Sequence, residues 1–310
     1  MSCTQKADTR LCHRNAQKPS VKGSIMGIKR RTRIWTSVGT AALLGGLAGC
    51  SNPAETPASP EGHQDLAANH APAPTFSEGE GEGQGGGSGG EFGIDPAEAE
   101  RNPVVYLIAL EVMRAHYLAG IDALEAGERT AGAEMFAHPI AEIYIDFEPV
   151  LEAQGAPLFG DAMTDASVAP YSGESDEAIA AYVTNVIDSI DAASAFAPRG
   201  QISPAGVHAR VLSDLIERAV LQYEVLATNP DAQEPYLDGY GFSRAAQRYA
   251  GNHLEQIAEA DADMALDLGR TISAIGRVFP TATRPAELAG DSAALTAMAA
   301  DIRRGADAMR

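Results

Sequence analysis

The chain has 310 residues, of which 45% are hydrophobic, 6% aromatic and 21% charged, which is enough for one or two domains with a substantial core. Its 23 Lys and Arg face 42 Asp and Glu for a net charge of −19; every lysine lies at or before Lys29, so residues 91–310 hold 14 Arg against 35 Asp and Glu, a net −21. A field of that sign repels phosphate backbones and argues against nucleic acid as a partner, while Cys3, Cys12 and Cys50 are too few for a disulfide scaffold or a thiolate zinc site.

From Met26 the chain reads Lys29-Arg30-Arg31-Thr32-Arg33, an apolar run from Trp35 to Gly49, and then Cys50. A basic stretch, a short apolar stretch and small residues before a cleavage point are the parts of a secretory signal. The apolar run is shorter than the roughly 20 residues of a membrane span. Residues 1–25 lack such a pattern, so Met26 is the expected true start. Leu47-Ala48-Gly49-Cys50 resembles the lipobox of bacterial lipoproteins. That resemblance implies that Cys50 is the first mature residue and carries a lipid, and Ser51 after it implies the periplasmic side of the outer membrane. A plain secreted protein and an N-terminal anchor are the alternatives.

Residues 51–102 are rich in Pro, Ala, Glu and Ser, with a Gly-dominated run at 79–90. Such a composition buries too little apolar surface to fold and predicts a disordered tether. His63 and His70 lie in it as solvated residues.

Beyond Pro103, apolar residues recur every three to four positions, which predicts an all-α domain over 103–310. The first helix is expected over 103–126, stopped by Gly127. A second covers 130–154 with interruptions at Pro139 and Pro149, and a third covers 175–196. The fourth opens with Ser203 as N-cap and Pro204 as first helical residue and runs to Thr228. Pro230, Pro235, Gly239 and Gly241 predict a loop over 229–241. A long helix over 242–279, broken near Gly251, and a last one over 291–309 complete about six helices, for which an antiparallel bundle is the natural packing.

Placing residues at 100° per position puts His116 at the edge of the apolar face of the first helix, which carries Leu110, Met113 and Tyr117. His208 aligns with Leu212, Leu215 and Ala219 on the fourth. His253 flanks the stripe of Ala246, Ala250 and Ile257 on the fifth. Three inward-leaning imidazoles on three helices are candidate metal ligands, since bundle cores assemble such sites from facing helices. Alternatively, each hydrogen-bonds a neighbouring carboxylate or carbonyl, as buried polar groups do.

His138 and Glu142 are four apart and can share a helix face to hold one cation. The same wheel, however, turns them away from Phe136, Ile140, Ile143, Phe147 and Leu151: either His138 ends one turn, Pro139 starts the next and Glu142 is solvated, or a kink at Pro139 re-aims His138. Imidazole with carboxylate suits zinc, iron or copper. Met113 and Met135, each three residues before a histidine, would add copper(I)-preferring thioethers, although methionine is also ordinary core filling. Hydrolase, nucleotide-binding and His-Glu-x-x-His motifs are missing, so an enzyme is not the expected reading.

The lipobox, the tether and an acidic helical domain with a His…Glu pair together resemble the imelysin-like periplasmic proteins. These are helical bundles associated with iron uptake that carry a Gly-x-His-x-x-Glu signature. Phe136 stands at the glycine position and Glu142 lies one residue late, so His138 alone maps onto it. The resulting expectation is a lipid-anchored bundle that binds a transition metal or metal complex through His116, His138, Glu142, His208 and His253, for uptake or storage, beside an outer-membrane or periplasmic transport partner. A cofactor-free scaffold, or a redox protein with non-covalent heme between two inward histidines, is the alternative.

Overall fold

The computed structural model describes residues 93–229 and 232–310. The signal region, Cys50, the Met26 start and all but the end of the tether lie outside the described residues. Within them the protein is all-α with no strand: α1 (Pro96–Ala99), α2 (Pro103–Glu125), α3 (Arg129–Pro139), α4 (Ile145–Gln154), α5 (Gly160–Val168), α6 (Asp176–Ser194), α7 (Pro204–Thr228), α8 (Glu234–Ala260), α9 (Ala262–Val278) and α10 (Ser292–Ala308), with a π-helical turn, Ile140–Tyr144, joining α3 to α4.

The helix α2 is the hub. It packs on α3, α6, α7 and α8, while α9 and α10 cover α7 and α8 from outside. It is long and apolar enough to cross a membrane, yet most of that stretch is buried inside the fold. A helix that is apolar nearly all round belongs in a core. Even charged residues of α2 are covered in its middle turns, where Glu111 and Arg114 are 3% and 2% exposed.

Side-chain caps set several helix starts. Asn102 accepts from Val104 N–H at 3.0 Å ahead of Pro103, and Ser203 caps α7 ahead of Pro204. The domain starts before Pro103: Asp95 caps α1, and Ile94 and Ala99 are buried in the core.

Two expectations are corrected. The segment 229–241 is not all loop, because α8 begins at Glu234 and includes Pro235, Gly239 and Gly241. Pro235 sits in the first turn, where a missing N–H costs nothing. Gly241 is there for closeness and not for flexibility: a Cβ on it would lie 2.6 Å from the Ala115 carbonyl oxygen. The long helix also breaks at Asp261, not at Gly251. Asp261 leaves the helical region (φ −154°, ψ 100°) and caps α9 by accepting from Met264 N–H. The short α5 went unpredicted because its run of small and polar residues carries little apolar periodicity.

The two kinds of glycine are separable by experiment. Gly241→Ala is expected to force α8 off α2 and cost about 1–3 kcal/mol, the usual penalty for overpacking. In contrast, Gly251→Ala meets open space in mid-helix and should stabilise by about 0.5–1 kcal/mol. Urea denaturation of both variants checks the pair; similar effects of the two would contradict the packing.

Candidate metal centre

Tight helix contacts bring three elements together around His116. The packing of α2 on α3 is close because Gly120 faces Gly132, where a Cβ would lie 2.6 Å from the Gly120 carbonyl oxygen. Gly120 is about one turn beyond His116, and Gly132 is six residues, about 1.7 turns, before His138. On the other side, Gly241 seats α8 on the Ala115 carbonyl, and Asp238 lies one turn earlier on α8.

Pro139 then re-aims the third contributor. It has no N–H to continue the helix, and the chain answers with the π turn Ile140–Tyr144, whose wider winding ends as Ile145 N–H donates to the Ile140 carbonyl. The extra residue per turn rotates Glu142 toward α2, correcting the straight-helix expectation that it looks away from the core. Such turns are frequent at functional sites.

His116, His138 and Glu142 each offer one ligand atom, all within 4.8 Å of one another. His116 Nε2 lies 3.9 Å from Glu142 Oε2, and His138 Nδ1 lies 3.9 Å from Glu142 Oε1. These separations exceed hydrogen-bond lengths. Tetrahedral donors at about 2.0–2.1 Å from a cation are about 3.3–3.4 Å apart, so side-chain shifts of about half an ångström would let one ion take both. His116 Nδ1–H donates to the Val112 carbonyl at 2.9 Å, which fixes the tautomer and turns the lone pair of Nε2 toward the carboxylates. A backbone carbonyl behind a histidine is the usual support of a metal-ligating imidazole.

Asp238 is the residue that sequence reasoning missed. Its Oδ1 lies 3.7 Å from His116 Nε2 and takes part in no hydrogen bond among the described residues. Burial, reinforced by the charges of Glu234 and Glu142, pushes its carboxyl well above the usual range. Burial lowers the His116 imidazole to about 4 against the pull of its Val112 hydrogen bond, with His138 and Arg218 lowering it further. The ring is neutral at pH 7 and able to ligate. The signal for Asp238 was present: continuing the stripe of Tyr249, Ala245 and Phe242 back one turn reaches it, but the Pro and Gly residues around it read as a loop.

His208 and His253 do not join this cluster. Their rings stack on each other with centroids 3.8 Å apart and 14° between planes, and His208 Nδ1 shares a 2.7 Å hydrogen bond with the Tyr249 hydroxyl. Asp238 and His253 are fifteen residues apart on α8, about 22 Å along the axis. The inward histidines thus meet at two heights, not one. The stacked pair also leaves no slot between its rings for a macrocycle ligated on opposite faces. Met113 and Met135 are buried core residues.

The pair makes a pH prediction. Burial, helped by the neighbouring His253, lowers His208 to about 4, and burial also lowers His253. The unfolded chain, near 6.5, takes up the proton first, so folding loses stability as pH falls from about 6.5 to 4. Wild type should therefore gain about 1–2 kcal/mol relative to His208→Phe between pH 4.5 and 7, after discounting for partial exposure. Urea titrations across that range check the slope; a gap that is flat or shrinks with rising pH contradicts it.

Compared with known proteins, the chain matches no family model, no curated protein and no solved structure.

Proposed function

We propose that this protein is a lipid-anchored helical bundle that binds a transition-metal ion at His116, His138 and Glu142, with Asp238 as a fourth ligand, on the periplasmic side of the outer membrane. The observation that carries the reading is the convergence of two imidazoles and a carboxylate from α2, α3 and the π turn within 4.8 Å, with His116 oriented by a backbone carbonyl. Two nitrogens and up to two carboxylate oxygens suit zinc or ferrous iron better than copper(I), which prefers sulfur. The side chains of His138 and Glu142 are 27% and 20% exposed, so an ion can enter from solvent while His116 and Asp238 close the inner side. Arg218, whose charge already disfavours a proton on His116, sets a limit on the affinity.

Uptake or storage is the role that fits a solvent-accessible ion site, and the imelysin-like resemblance supports the same role beside an envelope transport partner. The lipobox resemblance at Cys50 supports the location. One experiment addresses both parts of the reading: cells making the full chain are fractionated, and the protein is purified without chelator for elemental analysis. The expected result is an outer-membrane protein with close to one zinc or iron per chain, released from that fraction by Cys50→Ser without loss of metal. Metal-free protein that takes up neither zinc nor ferrous iron overturns the metal reading, and a soluble wild type overturns the anchor.

A further inference from the structure

A cavity of about 610 Å³ opens between α2, α6, α7, α8 and the segment 197–202, at the height of His208 and His253 and separate from the metal cluster. Its size is that of a small-molecule site.

Its chemistry is unlike the rest of this acidic domain. Arg114, Arg199 and Arg248 line it with only two carboxylates, Glu111 and Asp191, a local balance of three positive charges against two negative. Both carboxylates are already engaged. Arg114 Nε donates to both Glu111 oxygens at 3.1 and 3.0 Å. Arg114 Nη2 pairs with Asp191 Oδ1 at 2.7 Å, and Arg248 Nη2 with Asp191 Oδ2 at 2.9 Å. Arg114 Nη1 remains: it is buried, and it donates to no acceptor among the described residues. Arg199 makes no ion pair among them either. A guanidinium that is 2% exposed with a donor left over is costly unless something accepts from it.

The lining is also aromatic. Tyr249 lies with its ring centroid 4.3 Å from that of His253, which stacks on His208 at 3.8 Å, and Leu107 and Val207 add apolar surface. Tyr249 is close enough to Arg114 to feel its charge, so the cationic and aromatic walls meet.

We propose that this cavity binds an organic monocarboxylate carrying a flat unsaturated ring, its carboxylate taken by the Arg114 and Arg199 guanidinium groups and its ring laid against the Tyr249, His253 and His208 wall. One negative charge matches the local surplus, a guanidinium fork suits a carboxylate, and the ring exploits the stacking surface. The proposal is independent of the metal reading.

The test uses the full chain, with 1-naphthoate as probe and the uncharged 1-naphthamide and the cationic 1-naphthylmethylamine as controls, read by isothermal titration and by the shift in Tm. Naphthoate is expected to bind saturably and raise Tm. The amide should bind about tenfold or more weakly, the loss of one charge-assisted contact, and the amine not at all. Arg199→Gln, at an exposed position that leaves the fold intact, should weaken naphthoate by about tenfold and leave the amide unchanged. His253→Ala should weaken both, by removing ring contact. Absence of saturable naphthoate binding in the millimolar range overturns the proposal, as does equal binding of acid and amide, or an Arg199→Gln variant that binds as tightly as wild type.

Discussion

Replacing His116 with Ala is expected to abolish the rise in Tm that zinc or ferrous iron gives the wild-type protein. With free metal at about 100 times Kd, an ion bound only by the folded state stabilises by about 2.7 kcal/mol, and the variant should lose nearly all of it, because His116 alone faces both Glu142 and Asp238. The metal-free variant should also be weaker by about 2–4 kcal/mol, since a ring that is 1% exposed leaves a cavity. For a domain of this size that is a fall of roughly 5–10 °C in Tm. Calorimetry of both proteins with and without metal separates the two effects. If the two respond equally to metal, His116 is a core residue and not a ligand. Asp238→Asn, nearly isosteric, should keep the metal-free stability and reduce the metal-dependent gain, which removes cavity formation from the comparison.

Arg114→Met should be among the most destabilising single changes in the domain, at about 3–5 kcal/mol. It strips Glu111, itself 3% exposed, of the guanidinium that contacts both its oxygens and leaves a carboxylate inside the bundle. Burial already raises the Glu111 carboxyl despite Arg114, which lowers it; without Arg114 it rises further. A group whose folded pKa is raised weakens the fold above that pKa and ceases to do so as pH falls through it. The variant's deficit should therefore be larger at pH 8 than at pH 5. Adding Glu111→Leu should recover most of the loss at both pH values, because two apolar side chains can replace a buried ion pair at little cost. Urea denaturation of the single and double variants at the two pH values is the measurement. A double variant no better than Arg114→Met would mean that the pair does more than neutralise itself.

Some helix ends were legible from their caps. Ser203 with Pro204 opens α7, and Asp291 and Ser292 begin α10 as the last periodic run suggests. A cap is a bond between a side chain and an N–H two or three residues away, so a linear reading can see it. The Asp261 cap at α9 is equally local, yet by propensity Gly251 is the weaker point of the helix. Propensity is a poor guide when an amphipathic face is buried on both sides of the glycine.

The metal cluster was legible in part. His116, His138 and Glu142 were recognisable by chemistry, and the ability of Pro139 to re-aim His138 was readable from its missing N–H, but the π turn that carries Glu142 inward was not. What sequence spacing does not contain is height. His116 and His208 each point inward on their own helices, yet which imidazoles meet depends on how far each helix slides along its neighbours. Contacts such as Gly241 on the Ala115 carbonyl and Gly132 on the Gly120 carbonyl decide that. Those contacts join residues about 10 to 130 positions apart and turn on the absence of a side chain, which in sequence looks the same as a flexible loop.

The sequence by itself therefore determined the helical class, the Ser203 cap, the acidic field and the residue types available for ligation, because each follows from short-range bonding or composition. The tertiary structure alone decided that Asp238 joins His116, that His208 and His253 stack on each other instead, and that Arg114 and Glu111 are buried, because those outcomes depend on which backbones can approach closely enough to exclude water between them.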